Sequence, residues 1–140
     1  MGLLDSMFGP KHPPLDPSSS AATTIAACSP LTSFAAGIRD RLEIVAGPST
    51  IFVFMGRPPK EFGLVWFDQE SRHDFRSDME QGLLSRDEAT RIVGGLTPLY
   101  LSHADAPRYS HEIGGTRVTV IDAPALHADL LALFENRGEA

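Results

Sequence analysis

Two short apolar runs, Ile51–Met55 and residues 62–67, are joined by the proline-containing segment 56–61. Both runs are rich in β-branched and aromatic residues, which favour strands, and the short link between them predicts a hairpin. Neither run alternates apolar with polar residues, so both faces of the hairpin need to be covered. This pair of strands indicates a fold in which an antiparallel sheet packs against helices.

A second hairpin is predicted at residues 108–113 and 116–121, on either side of Gly114 and Gly115. Two consecutive glycines between two strand-like runs are typical of a two-residue hairpin turn. Apolar and polar residues alternate along the second of these runs, so one face of it should be buried and the other exposed.

Helices are predicted before, between and after the two hairpins. A stripe of apolar residues at helical spacing runs through residues 30–46, with Ser29 as its cap and Gly47 at its end. The further helices are predicted at residues 73–84, at 85–93 with a short stretch at 97–103, and at 123–136. The predicted fold class is therefore α+β, with a mainly antiparallel four-stranded sheet and the element order α-ββ-αα-ββ-α.

The first part of the chain has a different composition from the rest. Residues 9–24 contain four prolines and a run of serine, alanine and threonine, which is typical of a linker. We expect residues 1–24 to form a flexible Pro/Ser-rich tail that is mobile or lies on the surface. Residues 25–140 should then form a single α+β domain, since their length suits one hydrophobic core.

The distribution of charge excludes one class of partner and favours another. The net charge is −6, and all of it comes from residues 60–140, because the acidic and basic residues of 1–59 balance. A nucleic-acid-binding protein needs a basic surface, so we expect no nucleic-acid partner. No apolar run approaches the roughly 20 residues that cross a bilayer, so we also expect no membrane partner.

The cysteine content and the basic residues indicate where the protein acts. Cys28 is the single cysteine and cannot form an internal disulfide, which favours a reducing, cytoplasmic location. Most basic residues are arginine, and alanine, glycine and proline are plentiful, which is typical of a GC-rich bacterial gene. Cys28 precedes a predicted helix, where a thiol pKa can be lowered, but no histidine partner is fixed nearby, so we interpret it as an incidental thiol.

No motif in the chain assigns a reaction. The sequence contains no phosphate-binding glycine loop and no nucleophile elbow. His103 and His127 each begin a His-Ala-Asp triplet, but this spacing does not place two ligands on one helix face. The charged stretch 68–91 interleaves acids with arginines and predicts a solvated, ion-paired surface. We therefore expect no catalytic residue, no metal and no cofactor, and an enzyme is disfavoured.

The aromatic residues of the first hairpin give the leading functional hypothesis. If helices cover only one face of the sheet, Phe52, Phe54, Phe62 and Trp66 would form a partner-binding surface, because exposed aromatic patches mark interfaces. The protein would then be a non-enzymatic interaction or accessory module, of a chaperone, adaptor or immunity kind, which binds a protein partner or forms a homodimer. If helices cover both faces, these side chains are core instead.

The order of the predicted elements resembles that of small acidic bacterial accessory proteins, such as secretion-chaperone-like α+β domains. This resemblance lies in the element order alone, and a shared fold does not assign a function.

The alternative hypothesis is a domain that binds or senses a small molecule and could also be an enzyme, with a pocket that uses Trp66, Tyr109, His111 and His127. Tyr109 and His111 fall on the same face of a predicted strand. His127 lies at the edge of the apolar stripe of the last helix, so it should be partly buried and in need of a hydrogen-bond partner. The two hypotheses differ in whether the two histidines face one cavity.

Overall fold

The computed structural model describes residues 12–38, 42–48, 50–56, 63–68 and 70–135. Within these ranges the chain is an α+β protein with five helices and a six-stranded mixed sheet. The helices are α1 (Ser20–Ala26), α2 (Ser29–Gly37), α3 (Phe75–Glu80), α4 (Arg86–Ser102) and α5 (Pro124–Glu135). The strands are β1 (Leu42–Ala46), β2 (Ile51–Met55), β3 (Gly63–Phe67), β4 (Arg72–His73), β5 (Arg108–Ile113) and β6 (Thr116–Ile121).

The six strands lie in the order β4-β3-β2-β1-β6-β5. Every neighbouring pair is antiparallel except β1 and β6, which are parallel, with Glu43 opposite Thr119 and Ile44 opposite Val120. The prediction of four strands in a mainly antiparallel sheet is therefore wrong in strand number, and the sheet is mixed. The α+β class itself is confirmed.

The additional central strand comes from the segment predicted as the first helix. Helix α2 ends at Gly37, and Ile38 already has an extended backbone with φ −106° and ψ 135°. Leu42 and Val45 fit a helical stripe, but the burial of Glu43 and Ile44 between them is that of a strand with both faces covered. The predicted helix over residues 30–46 is thus wrong beyond residue 37.

Helix α4 runs without a break through Gly94 and Gly95, where the sequence predicts that the helix over residues 85–93 ends, and through Pro98 near the start of the predicted second stretch. Ser85 and Glu88 form the predicted capping box at its start. Gly95 packs against α5, because a Cβ at this position would lie 3.1 Å from Leu133 Cδ1. Gly95 therefore allows the two helices to approach closely, and the separate stretches 85–93 and 97–103 are one helix.

The region predicted as a helix over residues 73–84 begins instead with the short strand β4. Asp74 accepts a hydrogen bond from the Ser77 backbone at 2.7 Å and so caps α3. Gly82 has a φ of 75°, which suits glycine and turns the chain after the helix. This correction shortens the helix to Phe75–Glu80.

The hairpin of β5 and β6 is confirmed with the boundaries that the sequence predicts. Gly114 and Gly115 have φ values of 56° and 84°, which a two-residue hairpin turn with two left-handed residues requires. The pairing places Tyr109 opposite Val120 and His111 opposite Val118.

Two hydrophobic clusters cover the two faces of the sheet. One contains Ile51, Val53 and Phe67 with residues of α1 and α2. The other contains Phe52, Phe54 and Trp66 with residues of α4 and α5. Both faces of the aromatic hairpin are therefore buried beneath helices, and the fold has three layers.

The segment before α1 also contacts the sheet. Ser110 in the edge strand β5 donates a backbone hydrogen bond to Pro13 at 2.8 Å and accepts one from Leu15 at 2.8 Å. Leu15 is 9% exposed. The sequence predicts that residues 1–24 form a tail that is mobile or lies on the surface, and residues 13–15 of this segment contact the edge strand. Residues 1–11 lie outside the described part of the chain.

A buried acidic side chain links the central strand to its neighbours. Glu43 accepts a hydrogen bond from the Tyr100 hydroxyl and lies 3.5 Å from Arg108 Nε. Burial and this bond to Glu43 raise the pKa of Tyr100 above its usual value. The group joins β1, α4 and β5, because a buried carboxylate needs hydrogen-bonding and charged partners.

Candidate functional site

A cavity of about 620 Å³ lies at the carboxyl ends of β1 and β6. Residues 14–24 form one side of it, and the segments that follow the two strands, 46–48 and 120–124, form the other. Its volume falls in the range of about 300–1,000 Å³ that is typical of small-molecule sites.

The parallel pairing of β1 and β6 determines where the cavity lies. Parallel neighbours end at the same edge of a sheet, so the chain leaves both strands side by side. After β1 it turns through Gly47 and Pro48, and after β6 it passes Asp122 into α5. In open sheets, ligands commonly bind outside the carboxyl ends of parallel strands, where such a crevice forms.

His127 in the first turns of α5 lines the cavity and is 6% exposed. Its Nε2 lies 2.8 Å from the carbonyl oxygen of Thr50, which can only accept, so Nε2 carries the hydrogen. Its ring also contacts Phe52 edge-on at 5.3 Å between centroids. In the neutral ring Nδ1 is then an acceptor, and no hydrogen bond joins it to any described residue.

Gly47 provides the space for this histidine. A Cβ on residue 47 would lie 2.6 Å from Nδ1 of His127, closer than non-bonded carbon and nitrogen atoms can approach. The glycine at the end of β1 therefore lets the imidazole lie against the backbone. The sequence predicts a helix end at Gly47, but this glycine follows the strand β1.

Tyr109 of the edge strand β5 also lines the cavity, beside Val120 of β6. The tyrosine is half-buried, and its hydroxyl forms no hydrogen bond with the residues that the structure describes. Its ring therefore gives the cavity an apolar wall that ends in a polar group.

The remaining polar lining consists of acids and hydroxyls: Asp16, Ser19, Ser20, Thr24 and Asp122. Asp16 accepts hydrogen bonds from the Ser18 backbone at 2.9 Å and from its hydroxyl at 2.8 Å. These two bonds hold the pKa of Asp16 below its usual value. Asp16 is therefore a carboxylate at neutral pH.

The aromatic residues predicted to bind a partner do not form a surface. Phe52, Phe54 and Trp66 are buried in the core beneath α4 and α5. Phe62 lies outside the described residues. The expected patch required one open face of the hairpin, and the addition of β1 and the division of the helices between both faces remove it.

The structure brings together two of the residues predicted to form a pocket and separates the others. Tyr109 and His127 line one cavity. His111 shares a face of β5 with Tyr109 but is not part of the lining, and Trp66 is buried on the other face of the sheet. The two histidines therefore do not face one cavity, which is the arrangement that the small-molecule hypothesis predicted for His111 and His127.

Several lining residues come from the segment that the sequence analysis assigned to the tail, among them Asp16, Ser19 and Ser20. A signal for them was present in the sequence. Ser19 caps α1 by accepting the Ala22 backbone N–H at 3.2 Å, and a serine before an apolar helical run indicates such a cap. The proline-rich composition of residues 9–24 favoured a linker over this helix start.

A second polar cluster lies away from the cavity, around His73. Its Nε2 is 3.1 Å from Asp68 and its Nδ1 is 3.3 Å from Asp78, and its ring stacks on Trp66. Asp78 is buried, so the predicted solvated face is wrong at this residue. Burial alone would lower the pKa of His73, but the two carboxylates raise it overall.

A second cavity, of about 590 Å³, lies along β3 and away from the first. Its charged side chains are paired: Arg72 with Asp74 at 3.1 Å, and Arg76 with Glu80 at 3.6 Å. The remaining lining is largely apolar, with Thr97 as a further polar side chain. The cavity at β1 and β6 carries more unpaired polar groups and is the candidate site.

Within the described ranges, no group of three or more histidine, cysteine, aspartate or glutamate side chains is arranged to hold a metal ion. None of the helices that the structure describes is long and apolar enough to cross a membrane. Comparison of the chain with protein-family models, curated proteins and solved structures gave no match.

Proposed function

We propose that the protein binds a small molecule in the cavity at the carboxyl ends of β1 and β6. The observation that carries this proposal is the placement of the buried His127 in the cavity wall, with one ring nitrogen bonded to Thr50 and the other without a described partner. No buried side-chain nitrogen or oxygen among the described residues lacks a hydrogen-bond partner, so Nδ1 is accessible, and a ligand in the cavity that donates a hydrogen bond to it would gain a directed contact.

The composition of the walls supports the proposal. Ligand sites are mostly apolar with a few placed polar groups. Leu15, Val120 and Ala123 supply apolar surface here, and Tyr109 and His127 supply polar groups that different elements position. The site would make this a binding or sensing domain, and among the described lining residues no nucleophile and base form a hydrogen-bonded pair.

The proposal is tested by screening the full chain against a fragment library with ligand-observed NMR. Ser20 lines the cavity from an exposed position on α1, so Ser20→Trp should fill the cavity without disturbing the core. Thr23 is exposed on the same helix and outside the lining, so Thr23→Trp is the matched control. We expect fragments to bind the wild type and Thr23→Trp, and binding to fall at least about tenfold in Ser20→Trp.

Fragments that bind Ser20→Trp as well as they bind the wild type would contradict the proposal. The same variant reports on His127 directly. A ligand in the cavity should shift the Nδ1 resonance of His127 in the wild type, and this shift should disappear when tryptophan occupies residue 20.

Self-association is a second candidate function, and it is supported by exposed apolar residues on α4. Val93 is 51% exposed and Leu101 is 56% exposed, and they lie two turns apart on one side of the helix. Light scattering would detect a dimer that Val93→Glu and Leu101→Glu weaken together. A monomer at high concentration would rule this candidate out.

A further inference from the structure

The cavity is rich in hydrogen-bond acceptors. Asp16 and Asp122 place carboxylates at its rim, and His127 presents an acceptor nitrogen to it. No lysine or arginine is among the described residues that line it. An anionic ligand would find no complementary charge in this lining and would meet two like charges.

The two carboxylates have oxygens available for a ligand. Both hydrogen bonds of Asp16 go to Oδ1, so Oδ2 is without a described partner. The side chain of Asp122 forms no hydrogen bond or ion pair with the described residues. Each carboxylate can therefore accept a charge-assisted hydrogen bond from a ligand.

The bond between His127 and Thr50 determines which ligand group suits the inner end of the cavity. A carbonyl oxygen accepts only, so Nε2 must keep its hydrogen and the neutral ring offers Nδ1 as an acceptor. A ligand that faces His127 therefore needs a hydrogen-bond donor. This requirement agrees with the carboxylates at the rim, although it comes from a different element of the fold.

The other walls suit an apolar or aromatic portion. Leu15 and Val120 are buried aliphatic residues, and Tyr109 adds a ring. A tyrosine ring also attracts a cation that approaches its face. The volume of about 620 Å³ accommodates a molecule of one or two rings.

We propose that the ligand class is a small organic amine, with a cationic ammonium group that Asp16 or Asp122 holds and an apolar ring that packs on Leu15, Tyr109 and Val120. This inference rests on the proposed function. It specifies the charge of the ligand, which the proposed function leaves open.

The test compares three probes that share an indole ring and a two-carbon chain but differ in charge. Tryptamine is cationic, tryptophol is neutral and indole-3-propionate is anionic. Matched phenyl compounds, phenethylamine, 2-phenylethanol and 3-phenylpropionate, form a second triple. Affinity is measured by ligand-observed NMR for the wild type, Asp122→Asn and Ser20→Trp. We expect each amine to bind about fivefold or more tightly than its alcohol.

Asp16→Asn is measured in the same way, and one of the two asparagine variants should remove most of this preference and leave the affinity of the alcohol unchanged, because each substitution removes charge and keeps size. If alcohols or carboxylates bind as tightly as amines, and Ser20→Trp abolishes that binding, the amine inference is wrong and the proposed function stands. If Ser20→Trp leaves the binding of every probe unchanged, both proposals are wrong. If no probe binds at millimolar concentration, the amine inference is wrong, and the fragment library decides the proposed function.

Discussion

The imidazole of His127 occupies the space beside residue 47 that a side chain would otherwise fill. Nδ1 lies 2.6 Å from the position of a Cβ on Gly47, and Nε2 donates to Thr50 three residues further along the chain. The turn after β1 therefore holds a buried histidine between its two ends. This relationship positions the inner wall of the cavity.

Substitution of Gly47 by alanine should destabilise the protein by about 1–3 kcal/mol, because the added methyl group overlaps His127. The control is Gly94→Ala, since a Cβ at that position in α4 meets no atom within 4 Å. That variant should gain about 1 kcal/mol from helix propensity. Urea denaturation measures both changes. Equal stability of wild type and Gly47→Ala would contradict the packing described here.

Removal of the Tyr100 hydroxyl should destabilise the protein. Tyr100→Phe keeps the ring on Phe54, at 5.3 Å between centroids, but takes one hydrogen bond from the buried Glu43. The expected cost is about 1–3 kcal/mol. Tyr109→Phe is the matched control, because that hydroxyl has no partner among the described residues, and it should change the free energy of unfolding by less than about 0.5 kcal/mol.

The ion pairs of His73 should make stability depend on pH above about 6.5. The carboxylates of Asp68 and Asp78 raise the pKa of His73 against the opposing effect of burial. A raised pKa in the folded state contributes stability that is complete below the unfolded value of about 6.5 and is lost as pH rises through the folded value. Asp78→Asn should therefore lower the free energy of unfolding more at pH 6 than at pH 9.

The control for this prediction is Asp105→Asn, which changes an exposed carboxylate outside the cluster. An NMR titration should also show that the pKa of His73 falls in Asp78→Asn. A loss of stability in Asp78→Asn that is the same at pH 6 and pH 9 would show that the carboxylate acts without the histidine charge.

The thiol of Cys28 should be unreactive in the folded protein. Cys28 is 1% exposed, burial raises its pKa, and its Sγ donates to the Asp68 carbonyl at 3.4 Å. A thiol with a raised pKa is a weak nucleophile at neutral pH. Ellman's reagent should therefore detect one thiol in urea and almost none in buffer. Rapid reaction in buffer would contradict this placement.

The hairpin of β5 and β6 could be predicted fully, because Gly114 and Gly115 specify a turn that few other sequences allow. The strand β1 could not. Its residues Leu42 and Val45 have the spacing of a helical stripe, and in such a helix the charged Glu43 falls on the opposite face. Partners distant in the sequence, Tyr100 and Arg108, compensate its burial.

The candidate site was predictable in the same limited sense. The sequence places His127 at the edge of the apolar stripe of the last helix, and it places Tyr109 on a strand face that could line a pocket. Their meeting depends on the parallel pairing of β1 with β6, and the sequence contains no local signal for that pairing. Asp16 and Ser19 were not predicted as site residues, because the composition of residues 9–24 indicated a linker. Leu15, which precedes Asp16, is nevertheless buried and bonded to the edge strand.

The measurement that tests the central claim most directly is a crystal structure of the full chain soaked with a fragment library. The account predicts that bound fragments cluster in the cavity and pack against Tyr109. It also predicts that they place a hydrogen-bond donor opposite Nδ1 of His127. Fragments that bind elsewhere on the protein while the cavity holds none would contradict it.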